Sequence, residues 1–270
     1  MLLPGIMIDS VLPLIGPGDP PPVTVLNRQG TARLLIVCDH ASRAIPMAMA
    51  RLGLEAAYFD RHIAYDIGAA DVTRLLSARL DAPAVVAGYS RLLVDCNRPP
   101  GDPTMMPNAS DGIPVPGNFH LTDTEVLARM DAFFWPYHQA IAAEIVRMRR
   151  GLEPPALLAI HSFTPSLNGI QRPWDVGVLW DRDPRLAQPL LAALRSVPGL
   201  TVGDNEPYSG RDVAYTIDVH GAAAGHAYCA IEIRQDLIAT ADGAACWADI
   251  LATAMGPILD NPDIYQVAHY

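Results

Sequence analysis

Three short apolar runs constrain this chain more than any other feature: LLIVCD at 34–39, LLAIH at 157–161 and AYCAIEI at 227–233. Each has the length of a buried strand rather than a helix, and each ends on or carries an ionisable side chain. DVGVLW at 175–180 and LLVDCN at 92–97 have the same texture. Between them, ADVTRLLSARL, LAQPLLAALRSV and the long VLARMDAFFWPYHQAIAAEIVRMR repeat their apolar residues at helical spacing. Strands alternating with helices predict an α/β fold, a single domain on a mixed, largely parallel sheet flanked by helices. In such sheets, sites collect at the carboxyl ends of strands, where His40, His161 and Glu232 fall.

With 270 residues, half of them hydrophobic and 18% charged, the chain can bury one large core. The expected division is an N-terminal extension over 1–30 and one domain over 31–270. A net charge of −10 and the lack of any basic run argue against a nucleic-acid partner. The opening MLLPGIMIDSVLPLIGPG has no charged n-region and is broken by Pro4, Pro13 and Pro17, so it reads as neither signal peptide nor spanning helix. The expectation is a cytoplasmic protein with no membrane partner. Cys38, Cys96, Cys229 and Cys246 lie far apart with no C-x-x-C spacing, which suits free thiols better than a disulfide framework or thiolate zinc site. Residues 99–121, rich in proline and glycine, read as a long loop of the kind that can cover a site.

Two imidazoles leaving two buried strands suit a catalytic metal, which takes three protein ligands and keeps a position for water. Glu232 lies between Ile231 and Ile233, where an unpaired carboxylate would cost several kcal/mol. It is either a general base beside metal-bound water or the ion-pair partner of Arg234, two residues on and on the same strand face. YSRLLVDCNRP supplies Arg91, Asp95, Asn97 and Arg98, a set able to grip a substrate carboxylate or to form a structural salt bridge. In FDRHIAYDIGAADV, Asp66 is a third metal ligand or a first-turn helix acid, ahead of His62 and Asp60 as a candidate.

In order and spacing VDCNR, IHSF and IEIRQDL resemble motifs of the zinc carboxypeptidase superfamily. More closely, DHASRAIP, DRHIAYDIGA, SRLLVDCNRPP, IHSFTP and EIRQDL resemble the signatures of the N-formylglutamate amidohydrolase family, over about residues 32–255. The resemblance implies a zinc carboxypeptidase-like domain, one bound Zn2+, and hydrolysis of an N-formyl or other small N-acyl amide on a carboxylate-bearing amino acid. It gives His40 and His161 to the metal, with Asp66 as third ligand and Asp39 in reserve. Glu232 becomes base and then proton donor to the leaving amine, Arg91 polarises the scissile carbonyl, and Asn97 with Arg98 anchors the substrate carboxylate. One departure stands out: the superfamily's glutamate ligand three residues after the first histidine is Arg43 here. The competing readings are a zinc carboxypeptidase or aspartoacylase-like deacylase, and a small-molecule binding protein without turnover.

Overall fold

The apolar runs assemble side by side. In the computed structural model, which describes residues 13–211 and 214–270, the main strands are β1 (Val23–Leu26), β2 (Leu34–Cys38), β3 (Ala84–Ala87), β4 (Ala156–Phe163), β5 (Val176–Leu179), β6 (Val202–Asp204) and β7 (Tyr228–Arg234). They form one seven-stranded sheet in the order β1-β3-β2-β4-β7-β5-β6. β3, β2, β4 and β7 run parallel, and the β1–β3 and β7–β5 pairings are antiparallel. The first twelve residues of the apolar opening run lie outside the described residues. No helix among the described residues is long and apolar enough to cross a membrane.

The helices are α1 (Ala69–Leu80), α2 (Asp123–Arg129), α3 (Trp135–Met148), α4 (Pro184–Arg195), α5 (Tyr215–His220) and α6 (Ala241–Leu259). Because side chains alternate along a strand, each central strand feeds two cores. Leu34, Ile36 and Cys38 of β2 pack with Val72 of α1, Leu190 of α4 and Leu251 of α6. Leu35 and Val37 pack on the other face with Phe134, Tyr137 and Ile141 along the α3 side. The same alternation puts His161 with Leu157 and Ala159, and Glu232 with Tyr228 and Ala230, on this second face.

Two local expectations change. LLVDCN is not a strand but a buried loop whose polar groups are met from outside it. Asp95 N–H donates to the Met105 carbonyl at 2.8 Å, Leu93 N–H donates to the Ser90 carbonyl at 3.0 Å, and the Leu92 carbonyl accepts from Asn118 Nδ2 at 2.9 Å. An apolar run is compatible with a loop once such bonds replace a ladder. The long helical run is also interrupted, because a π turn over Met130–Phe134 separates α2 from α3. It precedes Pro136, which has no N–H to offer and whose ring crowds the preceding turn.

Residues 99–121 hold only a two-residue ladder, Ala109–Ser110 with Ile113–Pro114, and a short turn of 3-10 helix at Pro116–Asn118. Val23–Leu26, within the N-terminal stretch, adds the antiparallel edge strand. Cys38, Cys96 and Cys229 are buried free thiols and Cys246 is exposed.

Candidate active site

At the carboxyl ends of the adjacent strands β2, β4 and β7 lies a cavity of about 200 Å3 lined by His40, Asp66, Arg91, Asn97, Arg98, His161, Ser162, Tyr208 and Glu232. The seven site candidates read from the sequence all reach it. His40 follows β2 by two residues, whereas His161 and Glu232 sit within β4 and β7 and are paired in register.

Asp66 enters from the turn before α1. Gly68 there has φ +79°, and a Cβ on it would stand 2.2 Å from the Ile238 carbonyl oxygen, so only glycine brings this turn so close to the chain after β7. The Asp66 carboxylate does not cap α1, whose N-cap position is Gly68. Its Oδ2 lies 3.2 Å from His40 Nδ1 and 2.9 Å from His161 Nδ1, while Oδ1 accepts from Arg91 at 3.2 Å.

The far side of each imidazole meets another carboxylate. His40 Nε2 is 2.7 Å from Asp95 Oδ1, and His161 Nε2 is 3.0 Å from Asp39 Oδ2. All of these side chains are buried. Burial and Arg91 pull the His40 pKa down, but Asp95 and Asp66 outweigh them and leave it above the ordinary histidine value. Burial likewise opposes protonation of His161, and Asp39 with Asp66 overcomes it by a wide margin. Asp66 itself, which burial would raise, is held well below the usual carboxylate range by the two imidazoles.

His40, Asp66 and His161 are the one group of potential metal ligands among the described residues, with donor atoms within 4.8 Å of one another. The chemistry of this set fits zinc, which binds imidazole nitrogen and carboxylate oxygen. A metal held by His40 and His161 would leave the Nε2 atoms to Asp95 and Asp39, and carboxylates so placed orient zinc-ligating histidines.

Glu232 is 8% exposed, and its Oε2 is buried with no hydrogen-bond partner. Burial pushes its carboxyl up to about 7, against the opposing pull of His161, His40 and Arg91. Arg234 is not its partner, since that guanidinium pairs with Asp175 at 3.0 Å and Asp236 at 2.8 Å. Asn97 Oδ1 accepts from the Thr216 N–H at 3.0 Å, which leaves the Nδ2 donors of Asn97 for another partner. Arg98 lines the cavity and meets no carboxylate among the described residues, only the Asn97 carbonyl at 3.4 Å. Arg91 is engaged at both terminal nitrogens, by Asp66 and by Asp95 at 2.9 Å. Arg43, which stands where a glutamate ligand was sought, pairs with Asp60 at the surface, and His62 lies 3.8 Å from Asp111.

The family model for N-formylglutamate amidohydrolase matches residues 32–239. This chain belongs to the N-formylglutamate amidohydrolase family. Among solved structures, a gene product of Agrobacterium tumefaciens is 38% identical with a TM-score of 0.87, covering 91% of this chain and 98% of that one. An N-formylglutamate amidohydrolase from Ralstonia eutropha JMP134 is 22% identical with a TM-score of 0.61, covering 88% and 97% respectively, and shares the fold. No curated protein matches the sequence.

Some residues of this amidohydrolase-family site carried no readable signal. Thr216 donates its hydroxyl to Asp39 Oδ1 at 2.6 Å while its N–H orients Asn97, yet it sits in a six-residue helix with no motif around it. Tyr208 and Ser162 line the cavity, and of the two only Ser162 adjoins a candidate residue, His161. Asp95 was visible as an acid near two arginines, but its place behind His40 depends on the fold.

Proposed function

We propose that this chain hydrolyses an N-formyl or other small N-acyl amide on a carboxylate-bearing amino acid, such as N-formylglutamate, with zinc held by His40, Asp66 and His161 and Glu232 as general base. The observation that carries this reading is the buried, unpartnered Oε2 of Glu232 beside three convergent donor atoms. Zinc in such a place supplies a Lewis acid and lowers the pKa of water.

The protein's own groups supply the rest. Glu232, its carboxyl raised by burial, is placed to take a proton from the attacking water and return it to the leaving amine nitrogen. Asn97 Nδ2 and Arg98 present uncommitted donors for the substrate carboxylate. Arg91 fixes Asp66 and Asp95 and adds positive charge to the wall at the scissile carbonyl.

The space favours a small acyl group. About 200 Å3 is below the range usual for drug-sized ligands. Arg98 also borders two adjoining cavities of about 350 and 530 Å3, whose walls include Thr104 of the 99–121 loop, and these would receive the amino-acid part. A binding protein without turnover has no use for a buried carboxyl with a free oxygen. Zinc analysis together with turnover of N-formyl, N-acetyl and peptide substrates, before and after chelation, tests the proposal. Bound zinc with preferred cleavage of the formyl compound supports it, and a zinc-free protein that cleaves none of them refutes it.

A further inference from the structure

Arg172 is a buried guanidinium, 8% exposed, and among the described residues no carboxylate pairs with it. Its Nη1 donates to the Thr164 carbonyl at 3.3 Å and to Thr164 Oγ1 at 3.2 Å. Thr164 directly follows β4, the strand that carries His161, so the catalytic scaffold itself holds the arginine. Its Nη2 donates to Tyr208 Oη at 3.0 Å, with the guanidinium carbon 4.8 Å from the centre of the Tyr208 ring. Tyr208 in turn lines the cavity with Glu232 and His161. A cation kept from water needs some compensating use for its charge. Here the described polar route from it into the cavity is the phenol.

The cavity has few other free donors. Arg91 has both terminal nitrogens on Asp66 and Asp95, and Ser162 Oγ donates to the Ile67 carbonyl at 2.9 Å. Asn97 and Arg98 are neighbours suited to one carboxylate. Tyr208 accepts from Arg172 and keeps its own O–H to give. A hydroxyl that accepts from a cation becomes a stronger donor, because hydrogen bonds in a chain polarise one another.

Resting on the hydrolase reading above, we propose that Tyr208 is a catalytic residue that donates its O–H to the carbonyl oxygen of the scissile amide, and that Arg172 is the positioning residue that polarises and aims it. As the water oxygen bonds to the carbonyl carbon, the π pair of the C=O bond moves onto the carbonyl oxygen. Tyr208 hydrogen-bonds to that oxygen and keeps its proton, while the proton lost by water goes to Glu232. When the C–N bond breaks, the pair returns to the carbonyl and Glu232 delivers the proton to nitrogen. A donor whose bond strengthens only as charge develops lowers the barrier without tightening ground-state binding, so its loss appears in kcat.

The test is a double-mutant cycle on the zinc-loaded protein with N-formylglutamate as substrate, using Tyr208→Phe, Arg172→Met, Arg172→Lys and the Tyr208→Phe/Arg172→Met pair. Tyr208→Phe is expected to lower kcat by about 10²-fold with KM within about threefold of wild type. Arg172→Met should lower kcat alone but add less than about twofold in the Tyr208→Phe background, since two residues acting through one bond are not additive. Arg172→Lys, which restores the charge, should recover part of the loss. Calorimetry with a tetrahedral phosphonate analogue of the substrate gives a readout without turnover, and Tyr208→Phe should weaken that binding far more than it weakens binding of the substrate to a Glu232→Gln background. Wild-type-like kcat in Tyr208→Phe, or full additivity of the two losses, overturns the proposal while leaving the hydrolase reading intact. A wild type that neither turns over the substrate nor binds the analogue removes both together. Should Arg172→Met not fold, Tyr208→Phe and Arg172→Lys still decide the matter through kcat and analogue affinity.

Discussion

Glu232 and His161 are register partners on adjacent parallel strands, β7 and β4, and both point to the same face of the sheet. The proposed base and the proposed metal ligand are thus joined through backbone hydrogen bonds rather than through loops. Their relative position is as rigid as the sheet core, which is what proton transfer over a short distance requires.

The ligand assignment predicts one zinc per chain. His40→Ala and His161→Ala should each release it, because two remaining protein ligands hold zinc poorly. Elemental analysis of protein purified without chelators reads this directly. Full metal retention in both variants would overturn the assignment.

Asp95 and Asp39 stand behind the two imidazoles, at 2.7 Å and 3.0 Å from their Nε2 atoms. Asp95→Asn and Asp39→Asn should therefore weaken zinc affinity by about 10–100-fold without abolishing it. Asp66→Ala should cost more, since Asp66 Oδ2 is itself a donor. Competition against a zinc-chelating dye ranks the three, and an unchanged affinity in Asp66→Ala would transfer its place to water.

Strands β2, β4, β5 and β7, the helices α1 and α4, and His40 and His161 were legible because burial and period write themselves into runs such as LLIVCD, LLAIH and AYCAIEI, whereas the short strands β1, β3 and β6 lie outside the runs read as strands. LLVDCN misled for the same reason. An apolar run records burial, and only the bonds from Asn118, Ser90 and Met105 decide that this one is a loop. Arg234 was a reasonable partner for Glu232 by strand parity, but parity cannot see Asp175 on the turn before β5, which takes it. Thr216 and Arg172 act through partners distant in sequence, so no local pattern marks them.

Arg98 and Arg91 should separate kinetically. Arg98→Ala is expected to raise KM with kcat nearly unchanged, because a carboxylate anchor serves ground and transition state alike. Arg91→Ala removes the cation shared by Asp66 and Asp95, so it should lower kcat and loosen zinc together. Steady-state kinetics with metal analysis tests this, and effects on KM alone from both variants would contradict it.

A buried pair outside the cavity predicts a pH effect on stability. His138 Nε2–H donates to the Cys96 carbonyl at 2.9 Å, so its bare Nδ1 accepts from His220 Nε2–H at 3.0 Å. Burial, then the neighbouring His138, lowers the His220 pKa to about 4. Unfolded, His220 titrates near about 6.5, so between pH 6.5 and 4 the unfolded chain binds more protons and stability falls as pH falls. The loss should level off below about 4 and amount to on the order of 3 kcal/mol at this site. Urea unfolding of wild type and His220→Gln at several pH values checks it, and equal acid sensitivity of the two proteins would contradict it.

The most direct test of the central claim is Glu232→Gln, assayed for fold, zinc content and hydrolysis of N-formylglutamate in one preparation. The swap keeps shape and hydrogen bonding but removes the base. Because Arg234 is paired with Asp175 and Asp236, the variant should keep wild-type stability rather than lose the ~3–5 kcal/mol that breaking a buried ion pair costs. The account predicts a folded, zinc-loaded protein whose kcat is lower by several orders of magnitude with substrate binding near normal. A folded, zinc-loaded variant that still hydrolyses N-formylglutamate at a rate close to wild type would contradict it.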